Sequence, residues 1–276
     1  MKVALLQITS GPDPVQNLAM VRVMVRDAVL QGAGFVLTPE VTNCLTSSRA
    51  AQAAALSLEG DDITLAALCA DAKALGVWIS IGSLALKTGD PDGRFANRSF
   101  MINPQGDIVG RYDKIHMFDV TVSEKETYRE SKGYRPGDHS TLVETPFGTV
   151  GMSICYDIRF AYLYRRLAQA GADILLVPAA FSPVTGAAHW ETLLRARAIE
   201  TGCYVLAAAQ TGTFAPDAKR PRTTYGHSMV ISPWGDVLAD GGTDATIVMV
   251  DIDPAEVSHA RKRIPALTHD RDFTGP

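Results

Sequence analysis

The chain alternates short apolar runs with stretches of helical spacing, and this alternation restricts it to an α/β fold. KVALLQI (2–8) reads as a buried strand. Residues 14–31 follow with helical apolar spacing, a proline at the start and Gly32 as a stop. FVLT (35–38) is a second strand and ends at Pro39-Glu40. A helix at 62–75 precedes a strand at 77–82. A strand at 148–154 runs up to Cys155, and a helix is expected at about 159–170. Further strands are expected at 173–177, 203–209 and 246–252, with a helix at 187–201 and a last one from Asp253-Pro254.

Two segments break the βα rhythm. MINPQGDIVGRYD (101–113) and VISPWGDVLADGG (230–242) share one plan, an apolar run, a Pro-x-Gly-Asp turn and a second apolar run. Proline presets φ and glycine supplies a positive φ, so both read as antiparallel hairpins. Their likeness suggests two related sheets. The expectation is an α/β protein with mixed sheets, in one domain spanning 1–276, because no linker or low-complexity tract divides the chain.

Charge and apolar content narrow the function classes. The net charge is −4 and the basic residues form no block, so nothing draws the chain to nucleic acid or to an anionic membrane. No apolar run approaches the ~20 residues that span a bilayer, and the N-terminal run is too short for an export signal. A cytoplasmic setting is expected. The four cysteines, Cys44, Cys69, Cys155 and Cys203, lie far apart, and neither they nor the six histidines show metal-ligand spacing. No metal or other cofactor is expected. The cysteines read as free thiols.

Cys155 is the sharpest candidate. In GMSICYDIRF it ends an apolar strand before a helix, where a side chain is held rigidly and backbone N–H groups favour a thiolate or an oxyanion. The alternative is a core cysteine packed as a small hydrophobe. Glu40 leaves a buried strand and reads as either a solvated carboxylate or a base with a raised pKa. Lys114, in GRYDKIHMFD, has apolar neighbours, and a buried ammonium there requires an anion. Glu130 is a loop carboxylate. Arg159, four residues after Cys155, could fork onto a substrate carboxylate or form a surface ion pair. Cys44 is the rival thiol, in a polar loop. Cys69 fits an apolar helix face and Cys203 the start of a strand.

Taken together these motifs resemble the nitrilase superfamily of carbon–nitrogen hydrolases: TPE with Glu40, YDKIHMFDV with Lys114 and ICYDIRF with Cys155, in that order. The likeness continues through TGAAHWETLLRARAIE (185–200) and YGHSMVISPWGD (225–236), and so covers nearly the whole chain. Those stretches resemble the Nit branch, and RAIETGCYVLAAAQTG (197–212) leans to its deaminated-glutathione amidases over the related omega-amidases. The resemblance implies a four-layer αββα sandwich, usually paired into dimers through one helical layer. It implies an amidase that splits a small carboxylate-bearing amide into acid and ammonia through a cysteine thioester. Cys155 would be the nucleophile, Glu40 the base, and Lys114 with the Tyr156 N–H the oxyanion donors. Glu130 would position Lys114, and Arg159 would hold the remote carboxylate. A true nitrilase, an acyltransferase and a non-catalytic binding protein on the same fold are the rival readings. Two departures stand out. DVTVSEKETYRES (119–131) lacks the branch's usual Pro-Gly pair, and Ala161-Tyr162 replaces its Pro-Glu.

Overall fold

A computed structural model describes residues 1–123, 126–214 and 222–275. Glu124 and Lys125, in the unusual 119–131 stretch, lie outside the described residues.

Each strand-rich half builds a six-stranded mixed sheet. The first contains β1 (Lys2–Gln7), β2 (Phe35–Leu37), β3 (Trp78–Lys87), β4 (Phe95–Ile102), β5 (Ile108–Asp113) and, from the far end of the chain, β16 (Thr246–Asp251). Its order is β16-β1-β2-β3-β4-β5. The second contains β8 (Leu142–Thr145), β9 (Gly148–Gly151), β10 (Ile174–Leu176), β11 (Tyr204–Ala207), β14 (Met229–Ile231) and β15 (Val237–Asp240), in the order β15-β14-β11-β10-β9-β8. In each, three parallel strands carry an antiparallel strand on one side and an antiparallel hairpin on the other. The two sheets are therefore related, as the matching hairpins suggested.

The hairpin turns form for the expected reason. Gly106 and Gly235 adopt φ of 85° and 93°. Asn103 and Ser232 accept from those glycine amides at 2.9 Å and donate to Asp107 and Asp236 carbonyls at 3.0 and 2.9 Å. Only a residue free of a Cβ clash takes such φ values cheaply.

Period-2 alternation then sorts the layers. On β1, Ala4 and Leu6 pack outward against Val21, Val25 and Ala28 of α1 (Pro14–Leu30) and Leu65, Leu68 and Ala72 of α3 (Ile63–Leu75). Val3 and Leu5 face the other way, into a core shared with Val150, Leu175 and Val205 of the second sheet. That core continues to Leu163, Tyr164 and Leu167 of α4 (Ala161–Gln169) and Trp190, Leu194 and Ala198 of α5 (Pro183–Thr201). The result is helix, sheet, sheet, helix, the expected αββα sandwich. Each fully buried Val or Leu contributes roughly 1.5–3 kcal/mol.

The helices start and stop on their signals. Asp13 caps α1 through Val15 N at 2.9 Å, ahead of Pro14, and Asp62 caps α3. Gly76 and Gly202 close α3 and α5 with φ of 64° and 61°. Among the described residues no helix is long and apolar enough to cross a membrane.

Some expectations shift. Strand pairing beyond β9 stops at Gly151, and Cys155–Arg159 form a 3-10 turn before α4. A 3-10 turn tightens the chain where β9 must give way to the helix. α5 starts at Pro183, earlier than expected, and β3 runs on to Lys87. α2 (Arg49–Ala55), the pair β6 (Thr121–Ser123) and β7 (Glu126–Thr127), and the pair β12 (Thr211–Phe214) and β13 (Arg222–Tyr225) were not anticipated. They lack an apolar periodicity of their own.

Candidate active site

The two sheets meet at the ends of β2, β9 and β10. Gly82 makes the approach possible. A Cβ there would stand 2.1 Å from Thr38 O, 2.5 Å from Pro178 Cβ and 2.6 Å from Pro39 C. Both chains that carry key side chains pass this point: Pro39 leads into Glu40, and Pro178 O accepts from Cys155 N at 2.9 Å.

Lys114 follows β5 and is registered there by its amide, which donates to Asn97 O of β4 at 2.9 Å. Its ammonium, 2% exposed, donates to Glu40 Oε1 at 2.8 Å and to Glu130 Oε1 and Oε2 at 2.9 and 3.0 Å. Three donors thus meet three carboxylate oxygens. Asn97 Nδ2 donates to Glu40 Oε1 at 2.8 Å, and Ala180 N, just past β10, donates to Glu40 Oε2 at 2.9 Å. Phe118 N holds Glu130 Oε2 at 2.6 Å. The unusual 119–131 stretch therefore still delivers Glu130 to Lys114.

Cys155 enters the same cluster from the second sheet and lines one cavity with Glu40, Lys114 and Glu130. Its φ is 50°, in the left-handed region, and Val41 beside Glu40 has φ 49°. Non-glycine residues in this region carry strain of about 1–3 kcal/mol. Here it bends each chain sharply at a cavity-lining side chain. The amides either side of Tyr156 are committed, Cys155 N to Pro178 O and Asp157 N to Ile154 O at 3.1 Å.

Burial and charge set the protonation states. Burial would raise Glu40, but the Lys114 charge and hydrogen bonds from Lys114, Cys155 and Asn97 outweigh it and hold the carboxyl below the usual range. This corrects the raised value expected of a buried base: the Lys114 charge and the three hydrogen bonds together outweigh the desolvation, the largest single cause. Burial raises Glu130, and the Glu40 charge adds to it against the pull of Lys114. Burial would lower Lys114, yet Glu130 and Glu40 raise it well above its ordinary value. Burial and then Glu40 push the Cys155 thiol well above its ordinary value, against Lys114 and the Ala180 N–H. The resting arrangement is a thiol beside a carboxylate. A base is in place for the proton that the sulfur must lose to attack.

The other expected residues divide. Tyr156 lines the cavity, but Arg159 does not. The Arg159 guanidinium lies 3.3 Å from His189 Nδ1 and 5.9 and 5.8 Å from the Tyr156 and Phe181 rings, so it braces two cavity-wall rings. Cys44 is fully buried and burial raises its thiol to about 11. Sequence reasoning missed the cations that do line the cavity, Arg49, Arg129, Lys132 and Arg222. They sit on α2, the β13 strand and nearby loops, elements without a sequence signal. Asp157 is fully buried and accepts from Tyr112 OH at 2.7 Å, Ile154 N at 2.9 Å and His116 N at 3.0 Å. That carboxylate fastens the turn of Cys155 to the segment after Lys114. Among the described residues no cluster of three or more His, Cys, Asp or Glu could hold a metal ion.

The family described as carbon–nitrogen hydrolase matches residues 2–262. The chain belongs to the carbon–nitrogen hydrolases. The hydrolase is 39% identical over 271 residues to a Yersinia enterocolitica protein named deaminated glutathione amidase, covering 98% of this chain and 92% of that one. It is 36% identical over 270 residues to a Bos taurus protein named omega-amidase NIT2, covering 98% and 95%. Among solved structures, the Caenorhabditis elegans NitFhit protein superposes with a TM-score of 0.89 at 34% identity. The hydrolase fills 98% of its own length in that comparison and 65% of the longer protein. Saccharomyces cerevisiae Nit3, described as a member of branch 10 of the nitrilase superfamily, gives 0.84 at 28% identity, covering 99% and 97%. These findings agree with the nitrilase resemblance and with the Nit branch.

Proposed function

We propose that this carbon–nitrogen hydrolase is an amidase for deaminated glutathione, with Cys155 as nucleophile and Glu40 as base. The convergence of Glu40, Lys114 and Cys155 on one cavity carries the reading. The names of the relatives favour deaminated glutathione over a 2-oxo-dicarboxylate monoamide such as 2-oxoglutaramate, the omega-amidase alternative.

In this mechanism Glu40 takes the thiol proton as sulfur bonds to the amide carbon. The carbonyl electrons move to oxygen, where the Lys114 ammonium and the Tyr156 N–H stabilise the charge. Lys114 frees a donor for this by relaxing one of its two bonds to Glu130, which otherwise fixes its position. Glu40 returns the proton to nitrogen as the C–N bond breaks, leaving a thioester. Water then attacks with Glu40 as base, the C–S bond breaks, and the thiol is restored. Deaminated glutathione contains only secondary amides, so its departing amine is cysteinylglycine. The expectation of ammonia therefore applies to the monoamide substrates alone.

The cavity measures 390 Å³ and its lining holds the four cations named above, which suits a substrate bearing more than one carboxylate. We further propose a single catalytic domain working in the cytoplasm. Pairing with a second copy through the α4/α5 layer would cover the exposed Tyr162 and Ile199, and light scattering after size exclusion reads this directly.

The test is a parallel assay of deaminated glutathione and 2-oxoglutaramate, scoring 2-oxoglutarate, cysteinylglycine and ammonia. The wild type should favour the former, and Cys155→Ala should abolish turnover of both while keeping its circular-dichroism spectrum. Undiminished turnover by folded Cys155→Ala would sink the mechanism. A preference for 2-oxoglutaramate would sink the substrate assignment.

A further inference from the structure

The cavity's arginines differ from many elsewhere on the molecule. Arg22, Arg98, Arg135, Arg197 and Arg261 each pair with a carboxylate. Arg49 and Arg129, in contrast, donate to main-chain carbonyls: Arg49 to Lys132 O and Gly93 O at 3.2 and 3.0 Å, Arg129 to Val120 O and Tyr128 O at 3.0 and 2.6 Å. Those bonds fix them in place. Arg222 makes neither kind of contact among the described residues. Its guanidinium lies over the Tyr128 ring, 4.7 Å from the centroid.

Tyr128 is itself held. Its hydroxyl donates to Glu126 Oε1, which also accepts from Ser182 Oγ at 2.9 Å. Glu126 thus serves two neutral hydroxyls. Arg222 is thereby anchored over a fixed ring with its donors uncommitted among the described residues, and a guanidinium fork takes a carboxylate bidentately.

An aromatic floor connects this cation to the reacting end. Tyr156, next to Cys155, meets Phe118 with centroids 5.0 Å apart, Phe118 meets Tyr128 at 4.9 Å, and Arg222 lies above Tyr128. Arg222 is therefore separated from Tyr156 by two intervening rings. A dipeptide leaving group carries its carboxylate about 7 Å beyond the reacting amide, at about 3.3–3.6 Å per extended residue, whereas a five-carbon monoamide releases ammonia and has no carboxylate on its leaving side.

We propose that Arg222 is the docking residue for the terminal carboxylate of the leaving group, so the site is built for amides whose departing amine is a short peptide acid. This rests on the amidase reading above and deepens it. It also assigns to Arg222 the carboxylate-fork role that the sequence suggested for Arg159.

Binding to the Cys155→Ala protein, measured by calorimetry, tests the docking apart from turnover. The ligands are deaminated glutathione, the same molecule with its terminal carboxylate converted to a carboxamide, and 2-oxoglutaramate. The carboxylate should bind about 10–100-fold more tightly than the carboxamide, the size of a charge-assisted pair. Adding Arg222→Ala should erase that preference, and Arg222→Lys should restore part of it. A preference that survives Arg222→Ala, or no binding of either peptide ligand, overturns the proposal. An equal loss of 2-oxoglutaramate affinity on Arg222→Ala would place the arginine on the acyl-side carboxylate and overturn it too. Failure of the amidase reading shows separately, as wild-type protein that binds deaminated glutathione without cleaving it.

Discussion

Lys114 Nζ lies 2.8 Å from Glu40 Oε1, and both side chains are almost completely buried. An ammonium at that depth is tolerated because two carboxylates surround it, and the carboxylates are tolerated because of the ammonium.

Lys114→Met should therefore damage the fold as well as the chemistry. Removing one partner of a buried ion pair costs about 3–5 kcal/mol. In the variant, burial raises both glutamates with no cation to oppose it. Raised folded-state values give stability that is present below the ordinary glutamate pKa and lost as pH rises. Thermal melts should show the deficit against wild type growing from pH 4 to pH 8. A deficit that shrinks over that interval would contradict the assigned burial.

Gly82→Ala should separate the two sheets at the site. The added methyl meets the Thr38–Pro39 backbone and the Pro178 ring, neither of which can step aside. Overpacking of this kind costs about 1–3 kcal/mol or more. It should also lower kcat more than KM, because Glu40 and Cys155 move apart while the outer cavity stays. Wild-type kcat in a folded Gly82→Ala protein would show that the approach is not needed.

Thiol labelling should distinguish Cys155 from Cys44. With its pKa raised to about 11 by burial, and Asp13 adding to the shift, Cys44 stays protonated at neutral pH. Cys155 is raised too, but it opens on the cavity with the Glu40 base beside it. Peptide mapping after brief iodoacetamide treatment at pH 7.5 should find Cys155 modified first, with Cys44 following only as pH approaches 11. Early modification of Cys44 would contradict its placement.

The amino-acid sequence by itself determined the order of strands and helices and the reactive residue types. Apolar alternation in KVALLQI, helical spacing after Pro14 and the two Pro-x-Gly-Asp turns act over a few residues, so they read directly from the chain. They sufficed for an α/β protein of two related sheets, and three motifs in order gave Glu40, Lys114 and Cys155 with their family.

Tertiary structure decided what those groups are chemically. From the sequence Glu40 reads as either a solvated carboxylate or a base with a raised pKa. It is held low because Lys114, 74 residues away along the chain, donates to it. Arg159, next to the Cys155 turn in sequence, braces the cavity wall, while Arg222, on the unforeseen strand β13, lines the cavity. Protonation and carboxylate docking depend on charges and rings from separate segments within a few ångströms. Periodicity carries no record of such encounters, and only the packing of one sheet on the other creates them.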